Sequence, residues 1–91
     1  MKVLVIEDND MISNLLCTLL ELDGHTLVPV RNKFTTLLEP RDPRWNVDVL
    51  VTDLMLPEVN GVDILKTAAE HHPAVRRLAL SALDTSNAYV R

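Results

Sequence analysis

Residues 48–61 read DVLVTDLMLPEVNG, and the rest of the chain is best understood outward from them. An apolar run closes on an acid, Asp53. Leu54, Met55 and Leu56 follow, then Pro57 and Gly61. An aliphatic, β-branched run of this length suits a strand covered on both faces, as in a parallel sheet. Asp53 would then stand at the tip of a buried strand, its carboxylate opening into a pocket and not into bulk water. Pro57 and Gly61 are expected to turn the backbone away from that pocket.

Similar punctuation recurs on both sides. VLVI (3–6) is a second unalternating aliphatic run and reads as the first strand. After it Met11, Ile12, Leu15, Leu16, Leu19 and Leu20 recur at helical spacing, which predicts one apolar stripe facing the core. Asn9 or Asp10 is placed to cap that helix and Gly24 to stop it. HTLVPV (25–30) is the second strand, and Pro29, which has no N–H to donate, favours a sheet edge. Residues 32–39 predict a short, weak helix, and PRDPRW (40–45) a loop. VDVLVTD (47–53) is the third strand. Gly61 to His71 carries Val62, Ile64, Leu65, Ala68 and Ala69 at helical spacing and ends before Pro73. RLALSA (77–82) is the fourth strand. Strand and helix alternate, which predicts an α/β fold: a doubly wound parallel sheet with right-handed crossovers and helices on both faces.

Composition narrows the class. The 91 residues are 47% apolar and 24% charged, enough for one small domain with a single core and neither repeats nor low-complexity tracts. Thirteen acids against nine bases give a net charge of −4, which argues against a nucleic-acid surface on this chain. The lone Cys17 has no partner for an internal disulfide and fits a reduced, cytoplasmic setting. MKVLVIEDND holds too short an apolar run for a signal peptide or a membrane span.

In open parallel sheets ligands bind beyond the carboxyl ends of the strands. Those ends carry Glu7 and Asp8 after strand one, Asp53 after strand three and Ser81 after strand four. If strands one and three are neighbours, Glu7, Asp8 and Asp53 converge, and three carboxylates that close repel one another unless protons or a cation neutralise them. Mg²⁺ takes oxygen ligands, commonly one or two carboxylates with phosphate oxygens. An aspartate beside it can attack phosphorus to give an aspartyl phosphate, with Ser81 able to hydrogen-bond a phosphoryl oxygen. Each acid also has a bland reading: Glu7 and Asp8 could simply favour the start of helix one, by roughly 0.3–1 kcal/mol, and Asp53 could be a turn former. Three of them at strand ends in one α/β unit is harder to dismiss.

VLVIEDND, VLVTDLMLPEVNG and LALSA together resemble the signature blocks of the response-regulator receiver domain of two-component signalling, and the resemblance runs through nearly the whole chain. It implies a flavodoxin-like sheet of order 2-1-3-4 that stops short of the family's fifth strand and fifth helix, so that residues 1–91 would be a C-terminally incomplete receiver. It implies that Asp53 is the phosphoacceptor, Asp8 a direct Mg²⁺ ligand, Glu7 its partner acid, Met55 a backbone-carbonyl ligand and Ser81 the switch hydroxyl. The implied partner is a histidine kinase or phosphotransfer protein. The family's phosphoryl-balancing lysine at the end of strand five has no counterpart here: Lys33 and Lys66 fall in helical segments away from the site, and Arg91 is out of register. LDTSNAYVR (83–91) reads as a loop and the start of a fourth helix. A degenerate fifth strand is the second reading, and would make Tyr89 the switch aromatic.

Two other functions come into question for these residues. A D-x-D phosphatase needs an acid two residues after Asp53, where Met55 stands, so no hydrolase is expected. A phosphorylation-impaired docking or competitor module with a receiver-like fold remains the alternative. An uncovered strand-four edge would invite self-association or partner contact. His25, His71 and His72 lack the spacing of a metal site and are expected to be structural or solvated, Cys17 to be core, and Trp45 to cover the sheet edge or make contacts on a loop.

Overall fold

The computed structural model describes residues 1–80. Ser81, Tyr89, Arg91 and the possible fifth strand lie outside the described residues. The elements are β1 (Lys2–Ile6), α1 (Asp10–Leu22), β2 (Thr26–Val30), β3 (Val49–Asp53), α2 (Gly61–His71) and β4 (Arg76–Leu80), with 3₁₀ turns at Phe34–Leu38 and Pro43–Trp45. All strand pairs are parallel, in the order β2-β1-β3-β4. This is the flavodoxin-like arrangement the sequence predicts.

Both α-helices among the described residues begin on asparagine caps. Asn9 Oδ1 accepts the Ile12 N–H at 3.1 Å and Asn60 Oδ1 accepts the Val62 N–H at 2.9 Å, satisfying donors that have no partner inside the helix. At its other end α1 closes in a Schellman motif. His25 N bonds Leu20 O at 3.1 Å and Gly24 N bonds Glu21 O at 3.0 Å, with Gly24 at φ +89°, a conformation that glycine reaches without penalty.

Hydrogen-bond parity explains the two sheet edges. Thr26 N donates to Met1 O and Val30 O accepts from Glu7 N, so Thr26, Val28 and Val30 turn their amides toward β1. Leu27 and Pro29 turn theirs outward, and the missing proline N–H faces away from the ladder, which blunts that edge. On the opposite side Arg76 N donates to Asp48 O and Leu80 O accepts from Leu54 N. Arg77 and Ala79 therefore point their amide groups outward, and no proline interrupts β4.

Strand alternation divides the core in two. One face joins Leu4, Ile6 and Leu50 to Phe34, Leu37, Trp45, Ile64, Ala68 and Val75. The other joins Val3, Val5 and Val51 to Cys17, flanked by Leu16, Leu20, Leu78 and Leu80. Cys17 is a core residue, as expected.

Three expectations need correcting. First, α1 does not bury the whole of the expected stripe. It buries Ser13 and Cys17, with Leu16 and Leu20 beside them, while Met11, Leu15 and Leu19 are 80%, 58% and 55% exposed. The six apolar positions form a double row, and α1 packs against β1 and β2, so only one row reaches the sheet. Second, the helix expected over 32–39 is a single 3₁₀ turn. Lys33 takes a left-handed φ of 53° just before it, and Pro40 stands two residues beyond its end. Third, Trp45 lies neither at the sheet edge nor on an exposed loop but inside the core. Its Nε1–H donates to Leu37 O at 3.1 Å, and its ring stacks on His72 with centroids 5.3 Å apart and planes 15° from parallel. His72 Nε2 in turn lies 2.7 Å from Pro40 O. The 3₁₀ segment is thereby pinned to the end of α2, where a second crossover helix would otherwise cover the sheet. Arg44 folds back onto Asp42 at 2.7 Å and holds that carboxyl below its usual range. No helix among the described residues is long and apolar enough to cross a membrane.

Candidate acidic site at the carboxyl end of the sheet

β1 and β3 are neighbours in register, with Ile6 opposite Thr52. One step further along, Glu7 and Asp53 emerge side by side, and Asp8 follows on the turn into α1. One carboxylate oxygen from each of the three lies within 4.8 Å of the others. Glu7 and Asp53 are only 2% and 4% exposed, whereas Asp8 faces solvent. Two of the three acids are thus shielded from solvent and the third is open to it.

Backbone donors fix the two buried acids. Glu7 Oε1 accepts the Asn9 N–H at 3.1 Å, and Asp53 Oδ1 accepts the Met55 N–H at 3.0 Å. The Glu7 and Asp53 carboxyl groups also hydrogen-bond to each other when Glu7 is protonated. Burial pushes the Glu7 carboxyl from 4.5 up to about 7, and the Asp53 carboxylate, hydrogen bonding to it and Asp8 push the same way, against the Asn9 N–H. Below about pH 7 Glu7 therefore favours its protonated form, and a cation entering the pocket would displace that proton. The donor set fits a hard divalent ion: three carboxylates, all oxygen, with one side left for water or phosphate oxygens.

Gly61 has a task that the sequence did not show. Its N–H donates to Leu54 O at 3.1 Å, and a Cβ there would overlap the Asp53 carbonyl oxygen and sit 2.7 Å from Leu54 Cα. Gly61 is the first residue of α2, as the family resemblance implies. The chain there folds back onto the backbone of the acid, with Met55 and Asn60 forming an antiparallel bridge across the loop. The glycine is needed for close approach.

The structure thus brings Glu7, Asp8 and Asp53 together and sets Met55 against them through its N–H, its side chain 54% exposed. Ser81 lies outside the described residues. Lys33 and Lys66 form no ion pair with the acids, and neither does any other described lysine or arginine. Sequence reasoning named Asn9 as a candidate cap of α1, which it is, but missed that its N–H also binds Glu7. It also missed Arg31, whose guanidinium reaches Asn14 and Asp10 on α1. A capping asparagine two residues after an acid was a legible signal for the first; nothing local marks the second. A cavity of about 650 Å³ between α1 and β2, lined by Cys17, Glu21, His25 and Arg31 among others, contains none of the three acids.

Comparison with known proteins gives the family and the fold. The sequence model of the response regulator receiver domain matches residues 3–91. The alkaline phosphatase synthesis transcriptional regulatory protein SphR of Synechococcus elongatus is 33% identical over 91 residues, covering 92% of this chain and 35% of its own length. The chain spans about a third of the length of the curated relatives it matches. Among solved structures, the receiver domain of the Francisella response regulator 1452 is 32% identical with a TM-score of 0.73, covering 94% of this chain and 70% of that one. The response regulator TrrA of Thermotoga maritima, solved in complex with Mg²⁺-BeF, superposes at a TM-score of 0.78 and 20% identity over 94% of this chain and 73% of its own, a likeness of fold.

Proposed function

Because the chain belongs to the response regulator receiver domain family, we propose that it is a phospho-acceptor switch. In this reading Asp53 takes a phosphoryl group from a histidine kinase or phosphotransfer protein in an Mg²⁺-dependent step. The observation that carries it is the convergence of Glu7, Asp8 and Asp53 within 4.8 Å at the carboxyl end of the sheet. Asp8 and Asp53, with Glu7 and the Met55 carbonyl, would hold the ion, which when bound neutralises charge on the phosphoryl oxygens. The residues divide the remaining work. The Met55 N–H holds Asp53 Oδ1 in place, so the other oxygen is the nucleophile. It forms a bond to phosphorus as the bond from phosphorus to the donor breaks, and the donor leaves with that electron pair. Glu7 yields its proton as the pocket takes up positive charge. Ser81 is proposed to hydrogen-bond the transferred group.

A second reading has one specific observation in its favour: no described lysine or arginine pairs with the acids. In it the chain is a phosphorylation-impaired docking module. Incubation with acetyl phosphate and Mg²⁺ followed by intact-mass measurement separates the two. The switch gives an adduct of about 80 Da, one phosphoryl group, that disappears in Asp53→Asn. No adduct, even with a cognate kinase, leaves the docking module.

Among the described residues β4 is an edge strand, and the outward amides of Arg77 and Ala79, flanked by Leu78 and Leu80, make it a place for another strand to pair. We infer that the chain self-associates or engages a partner there. Sedimentation at tens of micromolar is expected to show reversible association that weakens when Ala79 is replaced by proline. A clean monomer at that concentration would rule out the self-association.

A further inference from the structure

Arg31 stands immediately after β2, at the same end of the sheet as the three acids. The carbonyl of the preceding residue, Val30, accepts the Glu7 N–H at 3.2 Å, so the Arg31 backbone adjoins the start of the turn that carries Glu7 and Asp8. Its side chain then reaches the far end of that turn. Nη2 donates to Asn14 Oδ1, and Nη1 lies 3.7 Å from Asp10 Oδ1. The guanidinium is thus anchored at the Asp10 end of the Glu7–Asp10 turn, two residues from Asp8, while the Arg31 backbone adjoins the Glu7 end.

These contacts are poor candidates for stabilising the fold. The two ion-pair side chains are 39% and 77% exposed, and pairs so exposed contribute little. Their charge still reaches further than their hydrogen bonds do, because Coulomb interactions fall off over about a Debye length, roughly 8 Å at physiological salt. At a pocket of three clustered carboxylates, a fixed positive charge nearby lowers the attraction for a divalent cation. It also lowers the repulsion felt by an anionic phosphoryl donor.

We propose that Arg31 is a positioning residue that trims the field of the acidic pocket: held by Asn14 and Asp10, it offsets the negative charge of the Glu7–Asp10 turn, weakening Mg²⁺ binding while easing approach of the phosphoryl donor. The inference rests on the receiver reading above. It assigns opposite signs to two measurable quantities, which a purely structural role does not.

The test is calorimetric titration of the whole chain with Mg²⁺, in low and high salt, for the wild type, Arg31→Gln, Arg31→Lys and Asp10→Asn. In low salt Arg31→Gln is expected to bind Mg²⁺ roughly two- to fivefold more tightly, and Asp10→Asn more weakly by a similar factor. Arg31→Lys keeps the charge and stays near the wild type. High salt shrinks all these differences, and Arg31→Gln takes phosphate from acetyl phosphate more slowly in low salt. The proposal is overturned if Arg31→Gln binds Mg²⁺ no more tightly than the wild type, or if the difference persists unchanged in high salt. Weaker binding in that variant would mark Arg31 as a structural clamp instead. Failure of the wild type to bind Mg²⁺ at all would overturn the receiver reading itself, a distinguishable result.

Discussion

Gly61→Ala is expected to cost on the order of 3 kcal/mol in folding stability, a large share of what a domain this small holds. The loss does not come from φ, as it would at Gly24. It comes from space: an added methyl at position 61 would overlap the Asp53 carbonyl oxygen and press on Leu54 Cα. Both obstacles are backbone, so no side chain can rotate out of the way. Either the loop from Leu54 to Asn60 lifts, breaking the bond from Gly61 N to Leu54 O and the Met55–Asn60 bridge, or the end of β3 moves and carries Asp53 with it. The second route disturbs the pocket directly, so residual folded protein should also bind Mg²⁺ more weakly. Urea denaturation reads the first effect. At Gly24 nothing lies within 4 Å of an added Cβ, and alanine there should cost only about 1 kcal/mol, from its left-handed φ. A Gly61→Ala variant as stable as the wild type would mean that the close approach is dispensable.

The Mg²⁺-free protein should lose stability as pH rises from about 5 to about 8. Glu7 keeps its proton in the folded state up to about 7 but releases it near 4.5 when unfolded. Between those values the folded state binds more protons, so raising the pH favours unfolding. The contribution is fully present below 4.5 and gone once the pH has passed through 7. At about 1.4 kcal/mol per pKa unit the loss is on the order of 3 kcal/mol. Mg²⁺ should reverse the trend, because an ion among Glu7, Asp8 and Asp53 replaces the proton as the neutralising charge, and its binding should release protons below pH about 7. Thermal denaturation across this range, with Mg²⁺ and with a chelator, is the measurement. Glu7→Gln should flatten the chelated curve. A chelated wild type that instead gains stability up to pH about 8 would show that Glu7 is ionised in the folded state.

Much of this architecture was legible because it is written in local signals. VLVI and VDVLVTD read as buried strands from composition alone, Gly24 marked a helix stop, and Pro29 an edge. The three acids were found because parallel sheets present ligands at their carboxyl ends, and a single inference, that strands one and three are neighbours, brings them together. What was not legible depends on packing partners. The double row of leucines on α1 does not say which row meets the sheet. Residues 32–45 look like a weak helix and a loop, and only the fold reveals that Trp45, Leu37 and His72 lock into one cluster. Gly61 looked like a turn residue, and its close approach to Asp53 needs coordinates to be seen. Arg31 follows a strand like any other charged residue, and its reach to Asn14 and Asp10 follows from the placement of α1 against β2.

The central claim is that Asp53, of the three clustered acids, accepts the phosphoryl group. Reduction with borohydride after incubation with acetyl phosphate and Mg²⁺ converts an acyl phosphate to the corresponding alcohol, and tandem mass spectrometry then locates it. The account predicts homoserine at position 53 alone, formed only with Mg²⁺ present. Reduction at Glu7 or Asp8, or none at any acid when a kinase is supplied, would contradict it.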